Sequence, residues 1–147
     1  NLLTFVIGQG DILVTPIQVA QMMNLIASRG NTHVPSLHIN NVSNKFTLSL
    51  KSSTWDFLQN AVWNVIQHKN GTGKLARIEG ADIHGKTGTA QNPHGEDHSW
   101  FAGYMAIDNN PVISLSVLVE HGGKGSIQGA MISRKIFEFF LQNELIQ

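Results

Sequence analysis

His84-Gly85-Lys86-Thr87-Gly88-Thr89-Ala90-Gln91 puts one cation, two threonine hydroxyls and two glycines on a segment whose flanks read as β-strand. Run as an extended strand, Ile83 to Ala90 points Lys86 and Gly88 to one face and Thr87 and Thr89 to the other, because successive strand side chains alternate. Gly88 has no Cβ, so the backbone of a ligand can lie against this strand edge. A lysine beside threonine hydroxyls receives a carboxylate through charge-assisted hydrogen bonds. The plain alternative is a surface hairpin with an ordinary Lys-Thr pair.

Gly80 to Thr87 also fits the phosphate-loop pattern G-x-x-x-x-G-K-[ST]. That loop needs a strand before it and a helix starting near its lysine, whose free amides point at the phosphates. Here Gly88, two β-branched threonines, Pro93 and Gly95 follow Lys86, which leaves no more than a poor helix of about two turns. Lys74 to Glu79 is too short and too polar for the buried strand of a parallel sheet. The nucleotide reading therefore ranks below the strand reading.

Five further stretches accompany the central one in a fixed order: Ile7-Gly8-Gln9-Gly10, Thr15-Pro16-Ile17-Gln18-Val19-Ala20, Gly71-Thr72, then after the central stretch His98-Ser99-Trp100-Phe101-Ala102-Gly103-Tyr104, and Val119-Glu120-His121-Gly122-Gly123. Each is weak alone. In this order, and over nearly the whole chain, they resemble class B penicillin-binding proteins, especially the elongation-type penicillin-binding protein 2. Lys86-Thr87-Gly88 then resembles the K-T-G element of penicillin-recognising serine enzymes.

Composition is compatible with that resemblance. The 147 residues suit a single domain. They are 41% hydrophobic and 14% charged with zero formal net charge, which fits a chain with a buried core and gives no nucleic-acid surface. Cysteine is absent, which excludes a disulfide frame and thiolate metal sites. No apolar run approaches the roughly 20 residues of a membrane span, and no signal peptide is expected within these residues. The chain begins at Asn1 without Met, so a fragment is expected.

In chain order, Thr4 to Leu13 carries glycines in an apolar run, a loop expected to pack against something larger. Thr15 as N-cap, Pro16 at the first helical position, Gln18 three after the cap and Gly30 at the far end predict a helix. Its apolar residues cover all but the narrow stripe Gln18, Gln21, Asn24 and Ser28, so burial on most sides is expected. Residues 31 to 51 read as short strands or irregular connections. A second helix is predicted from a Ser53 cap to Lys69, with Trp55, Leu58, Val62 and Val65 inward. The second half reads as an antiparallel meander: the Lys86 strand, Ser99 to Ile107, a turn at Asp108-Asn109-Asn110-Pro111, and Val112 to Glu120. A closing helix from Ser126 to about Leu141 is predicted to lay Ile132, Ile136, Phe139 and Phe140 on the sheet. The fold class is α+β.

Seven histidines invite a metal reading. His94 and His98 are four apart, but Pro93 and Gly95 oppose the helix that would join them, and a structural zinc site usually needs four ligands. No metal and no cofactor is expected. His84 borders the strand and is expected to tune the surface of the site, and His98, in the H-x-W-F run, to be structural.

The resemblance implies the C-terminal part of a transpeptidase domain spanning residues 1 to 147, in the penicillin-binding serine-acyltransferase fold. In that family a serine attacks the penultimate peptide bond of a D-alanyl-D-alanine stem, releases the last alanine and passes the acyl group to an amine of a neighbouring stem. β-Lactams mimic the substrate. By resemblance, Lys86, Thr87, Gly88 and Thr89 bind substrate, Lys86 supplies positive potential, Thr87 and Thr89 offer hydroxyls to the carboxylate, and the Thr89 amide forms half of the oxyanion hole. Elongation-type members sit in the bacterial inner membrane with this domain in the periplasm, and work with the rod-shape elongation machinery. The family also needs S-x-x-K and S-x-N. Neither occurs in these residues, since no lysine has serine three positions before it. The nucleophile is therefore expected upstream of Asn1. A β-lactam hydrolase or sensor of the same fold, or a non-catalytic relative that keeps a ligand groove, is the alternative.

Overall fold

The computed structural model describes Gly8, residues 13–37 and residues 44–143. Helix α1, Pro16–Ala27, starts on the predicted cap: Thr15 Oγ1 accepts the N–H of Gln18 at 3.4 Å, and Gln18 Oε1 accepts the N–H of Thr15 at 2.8 Å. It ends at Gly30, whose φ of 91° suits glycine and whose N–H bonds the Leu25 carbonyl at 2.8 Å. Residues 31 to 51 hold a short antiparallel pair, β1 (Asn31–His33) with β2 (Lys45–Thr47). Of the loop expected over Thr4 to Leu13, only Gly8 and the exposed Leu13 are among the described residues.

Helix α2, Ser52–Gln67, begins one residue before the predicted cap, and Lys51 caps it without a side-chain bond. Ser52 and Asp56 serve Arg29 instead. The guanidinium bonds Ser52 Oγ and Asp56 Oδ1, each at 2.8 Å, and so ties the start of α2 to the end of α1. A single 3-10 turn, Lys74–Ala76, leads to the sheet.

The meander forms as expected, with order β3-β4-β5 and both pairs antiparallel. The strands are β3 (Asp82–Ala90), β4 (His98–Ile107) and β5 (Asn110–Val119). Asp108 and Asn109 take φ of 50° and 63°, the left-handed pair that closes a two-residue hairpin in step with strand twist. Pro111, read as part of the turn, lies instead in β5 opposite Ala106, beside a register shift at Met105/Ala106. Its missing N–H is tolerated at the start of an edge strand.

Two cores form on opposite faces of the sheet. Ile83, Phe101, Met105 and Leu115 pack with Ala130 and Phe137 of α3 (Gln128–Gln142) and with Ile66 and Ala76. On the other face, Ala102 and Tyr104 pack with Met23 and Ala27 of α1 and Val62 of α2. Helix α2 therefore contributes to both cores and lies along the outer side of β3.

Two predicted faces are corrected. Helix α1 buries only Met23 and Ala27, while Ile17 and Met22 are half exposed, because no described segment covers that side. The inward stripe of α3 is Gly129, Ala130, Ser133 and Phe137, with Ile136 and Phe140 partly buried, whereas Phe139 is 56% exposed and Ile132 36%. A serine lies inside that stripe, so an apolar pattern misses it. Its hydroxyl is satisfied by the Gly129 carbonyl at 2.8 Å. In α2 the buried positions are Trp55, Val62 and Ile66, with Leu58 and Val65 at its margin. Phe137→Ala should cost about 3–5 kcal/mol, the range for emptying a buried aromatic site, and Phe139→Ala about 0.5 kcal/mol or less. Urea unfolding of the two variants checks this, and equal losses would restore the predicted stripe.

Candidate functional site

Among the described residues, strand β3 pairs with β4 on one side only, so half of its backbone groups face away from the sheet. The Ile83 carbonyl is one of these, since it accepts Gln67 Nε2 of α2 at 3.5 Å. By the two-residue period of a strand, the N–H and C=O groups of Gly85, Thr87 and Thr89 share that direction. The Lys86 ammonium agrees with this, donating to the Thr87 carbonyl. Helix α2 covers the first half of this edge. Beyond it, Lys86 to Ala90 lines a groove of about 360 Å³. Val19 and Met22 of α1 form an apolar wall, Trp100 to Ala102 of β4 form the floor, and Gly8 completes the lining.

All four predicted site residues, Lys86, Thr87, Gly88 and Thr89, line this groove. Their side chains divide between faces as alternation requires. Lys86 is exposed on the α1 side. The Thr87 hydroxyl is buried and lies 2.8 Å from the hydroxyl of Thr72. The Thr89 hydroxyl accepts the N–H of Gly125 at 3.2 Å.

Gly125, which no quoted motif contains, supports the site from the loop after β5. A Cβ there would fall 1.8 Å from the Gly88 carbonyl oxygen and 2.5 Å from that of Trp100, so only glycine lets this loop lie on the strand pair. The loop is held by Ser99, fully buried opposite Thr89: its hydroxyl donates to the Lys124 carbonyl at 3.1 Å and accepts the Gly129 N–H at 2.9 Å. The three glycines clustered after Glu120 were the available signal.

His84 is buried rather than on the surface of the site, which corrects the expectation for it. It stacks on Tyr104, its cross-strand partner, with ring centroids 4.4 Å apart and planes 13° from parallel. Its Nδ1 lies 3.0 Å from Tyr104 Oη and its Nε2 3.1 Å from Asp82 Oδ2. Burial first, and the Asp82 carboxylate second, push the Tyr104 phenol well above the ordinary tyrosine range, because both disfavour a phenolate.

His98 accepts the N–H of His121 through Nδ1 at 3.0 Å and joins the starts and ends of neighbouring strands. His94 sits in the hairpin loop, its N–H bonded to Asn92 Oδ1 at 3.0 Å. Among the described residues no three His, Cys, Asp or Glu side chains converge as metal ligands. Lys86 and Thr87, which a phosphate loop would set at a helix N-terminus, lie in mid-strand, so the nucleotide reading fails on geometry.

A family model described as "Penicillin binding protein transpeptidase domain" matches residues 1–138. Among curated proteins, the peptidoglycan D,D-transpeptidase MrdA of Haemophilus influenzae is 29% identical, over 96% of this chain and 26% of its own length. The peptidoglycan D,D-transpeptidase PbpA of Mycobacterium tuberculosis is 30% identical, over 94% of this chain and 31% of its own. Among solved structures, Pseudomonas aeruginosa PBP2 in complex with WCK 5153 aligns with a TM-score of 0.75 at 28% identity, covering 95% of this chain and 32% of that one. The imipenem acyl-enzyme complex of M. tuberculosis penicillin-binding protein A aligns at 0.74 and 27%, covering 95% and 33%. The chain thus spans about a quarter to a third of the length of these relatives.

Two outcomes follow from the geometry of the site. Gly125→Ala should destabilise by about 1–3 kcal/mol, as overpacking does, and by more than Gly123→Ala, where a Cβ meets nothing within 4 Å and only the φ of 68° is strained. Thermal unfolding of the pair reads the difference. Because the Tyr104 phenol stays protonated when folded, its contribution to stability is complete below the unfolded value of about 10 and falls as pH rises above it, by about 1.4 kcal/mol per unit. Tyr104→Phe should flatten that alkaline limb in a pH series of urea unfolding.

Proposed function

We propose, from the premise that this chain belongs to the family of penicillin-binding protein transpeptidase domains, that it is the C-terminal part of the transpeptidase domain of a peptidoglycan D,D-transpeptidase acting in cell-wall elongation. The observation that carries this reading is the Lys86 to Thr89 half of β3, whose outward backbone is turned to a groove with a cation beside it. Relatives named peptidoglycan D,D-transpeptidase and an imipenem acyl-enzyme neighbour support it.

In this reading a serine upstream of Asn1 attacks the carbonyl carbon of the penultimate stem residue. The C–N bond to the last D-alanine breaks, that alanine leaves as an amine, and the acyl group passes from serine to the amine of a second stem. The tetrahedral intermediate carries its negative charge on the former carbonyl oxygen. A preorganised N–H facing that oxygen, here that of Thr89, stabilises it without reorganisation. Lys86 supplies positive potential to the substrate carboxylate and the nucleophile. The Thr89 hydroxyl, which accepts the N–H of Gly125, is in this reading one of the two hydroxyls offered to the carboxylate. Thr87, coupled to Thr72, plays the second hydroxyl part. Gly88 keeps the strand open to the substrate backbone.

β-Lactams acylate the same serine. No helix among the described residues is long and apolar enough to cross a membrane. In this reading the protein is anchored in the inner membrane, with this domain periplasmic and in contact with the rod-shape elongation machinery. In the full-length protein, Lys86→Ala should lower the rate of acylation by a fluorescent penicillin by about 10²-fold, the scale of removing one preorganised charge-stabilising donor, with Tm nearly unchanged because the exposed lysine packs little. Intact-protein mass spectrometry should place one adduct on a serine outside these residues. Equal acylation of the variant, or an adduct on Ser99 or Ser126, would overturn the assignment.

A further inference from the structure

His84 and Gln59 meet at a point that both walls of the groove share. Gln59 Nε2 donates to the carbonyls of Ile26 and Ala27, the last turn of α1, at 3.1 Å each, and Gln59 Oε1 accepts from Arg29 at 3.1 Å. The backbone carbonyl of the same glutamine lies 3.4 Å from His84 Nδ1. The cation wall of the groove is β3, where Lys86 stands two residues from His84 on the same face. The apolar wall is α1, through Val19 and Met22. One residue pair therefore connects the helix that carries the apolar wall to the strand that carries the cation.

The histidine is set rigidly in that joint. Its ring is buried, stacked on Tyr104 and hydrogen-bonded at both nitrogens, with Asp82 on the far side. Such a ring has one orientation, because rotation about its side-chain bonds breaks a stack and three polar contacts together, to Tyr104, Gln59 and Asp82. A phenylalanine would keep the stacking area and lose every polar contact. Asparagine places a polar atom where Nδ1 stands, and glutamine carries its amide one bond further out, nearer the position of Nε2.

We propose that His84 and Gln59 are positioning residues for the groove: their contact holds α1 and β3 at the separation that lets Lys86 and the outward backbone of Thr89 engage one ligand. This deepens the transpeptidase reading and rests on it for the ligand, but the mechanical claim stands on the contacts alone. Neither residue touches the reacting atoms, and their effect passes through the placement of Lys86 and of α1. Misplacement of a reacting group by about 1 Å costs as much as 10²-fold in rate, so loss of the joint should be visible in acylation while the two cores remain.

The test uses the full-length protein with His84→Phe, His84→Asn and His84→Gln, and two readouts. The first is the second-order rate of acylation by a fluorescent penicillin. The second is amide hydrogen exchange over residues 85–90 and over the last turn of α1. His84→Phe should lower the rate roughly 10-fold to 100-fold and speed exchange in both segments, with exchange in β5 and α3 unchanged. His84→Asn should recover most of the rate and protection, and His84→Gln little. Wild-type rate and protection in His84→Phe would overturn the proposal. So would losses in all three variants that track Tm alone, since those would mark a purely structural histidine. A wild-type protein that takes up no penicillin, together with the exchange pattern predicted for the variants, would instead refute the transpeptidase reading and leave the joint standing.

Discussion

The edge of β3 that faces away from β4 organises this molecule. An edge strand turns half of its N–H and C=O groups away from the sheet, and buried backbone groups must find partners. Helix α2 covers the first half and supplies Gln67 to the Ile83 carbonyl and its own Gln59 carbonyl to His84. Along the second half the lysine ammonium reaches the Thr87 carbonyl, and a groove opens beside it. The same constraint that would make an exposed edge a liability thus creates a place where the extended backbone of a ligand can pair with protein backbone.

The two faces of that edge have different work because side chains alternate. Toward α3, Thr87 bonds Thr72 while Thr89 and Ser99 pin the loop carrying Gly125, and the absence of a Cβ at Gly125 lets two stretches of backbone approach closely. Toward α1, His84, Lys86 and Ala102 face a mixed surface of imidazole, cation and apolar side chains. In the proposed transpeptidase reading, a carboxylate arriving at the strand meets positive potential from one face and hydroxyl dipoles from the other. This is the pairing that charge-assisted recognition uses.

Much of this was legible in the residues. Period-two alternation through His98 to Ile107, the Asp108-Asn109 turn and the Thr15/Gln18 capping box each rest on local stereochemistry, and local stereochemistry is what a sequence states most directly. The stripe of α3 was misread because Ser133 and Gly129 are buried for tertiary reasons: one satisfies its hydroxyl within its own helix, the other sits against the backbone of Phe101. The buried place of His84 was not legible either. It depends on Tyr104 twenty residues later and on a helix carbonyl twenty-five residues earlier. Gly125 was visible as a glycine but not as a contact, since its partner Gly88 lies on another strand. The strand that bears Lys86 was readable, and the elements that hold it in place were long-range.

The central claim is that the outward backbone of β3, from Lys86 to Thr89, receives an acyl ligand with its carbonyl oxygen on the Thr89 amide and its carboxylate on Lys86. A crystal structure of the full-length protein acylated by a carboxylate-bearing β-lactam tests this most directly. The account predicts the acyl oxygen about 3 Å from the Thr89 nitrogen, the carboxylate within hydrogen-bond reach of the Lys86 ammonium, and His84 still stacked on Tyr104. An acyl group whose carbonyl oxygen points away from β3, or a carboxylate with no contact to Lys86, would contradict it.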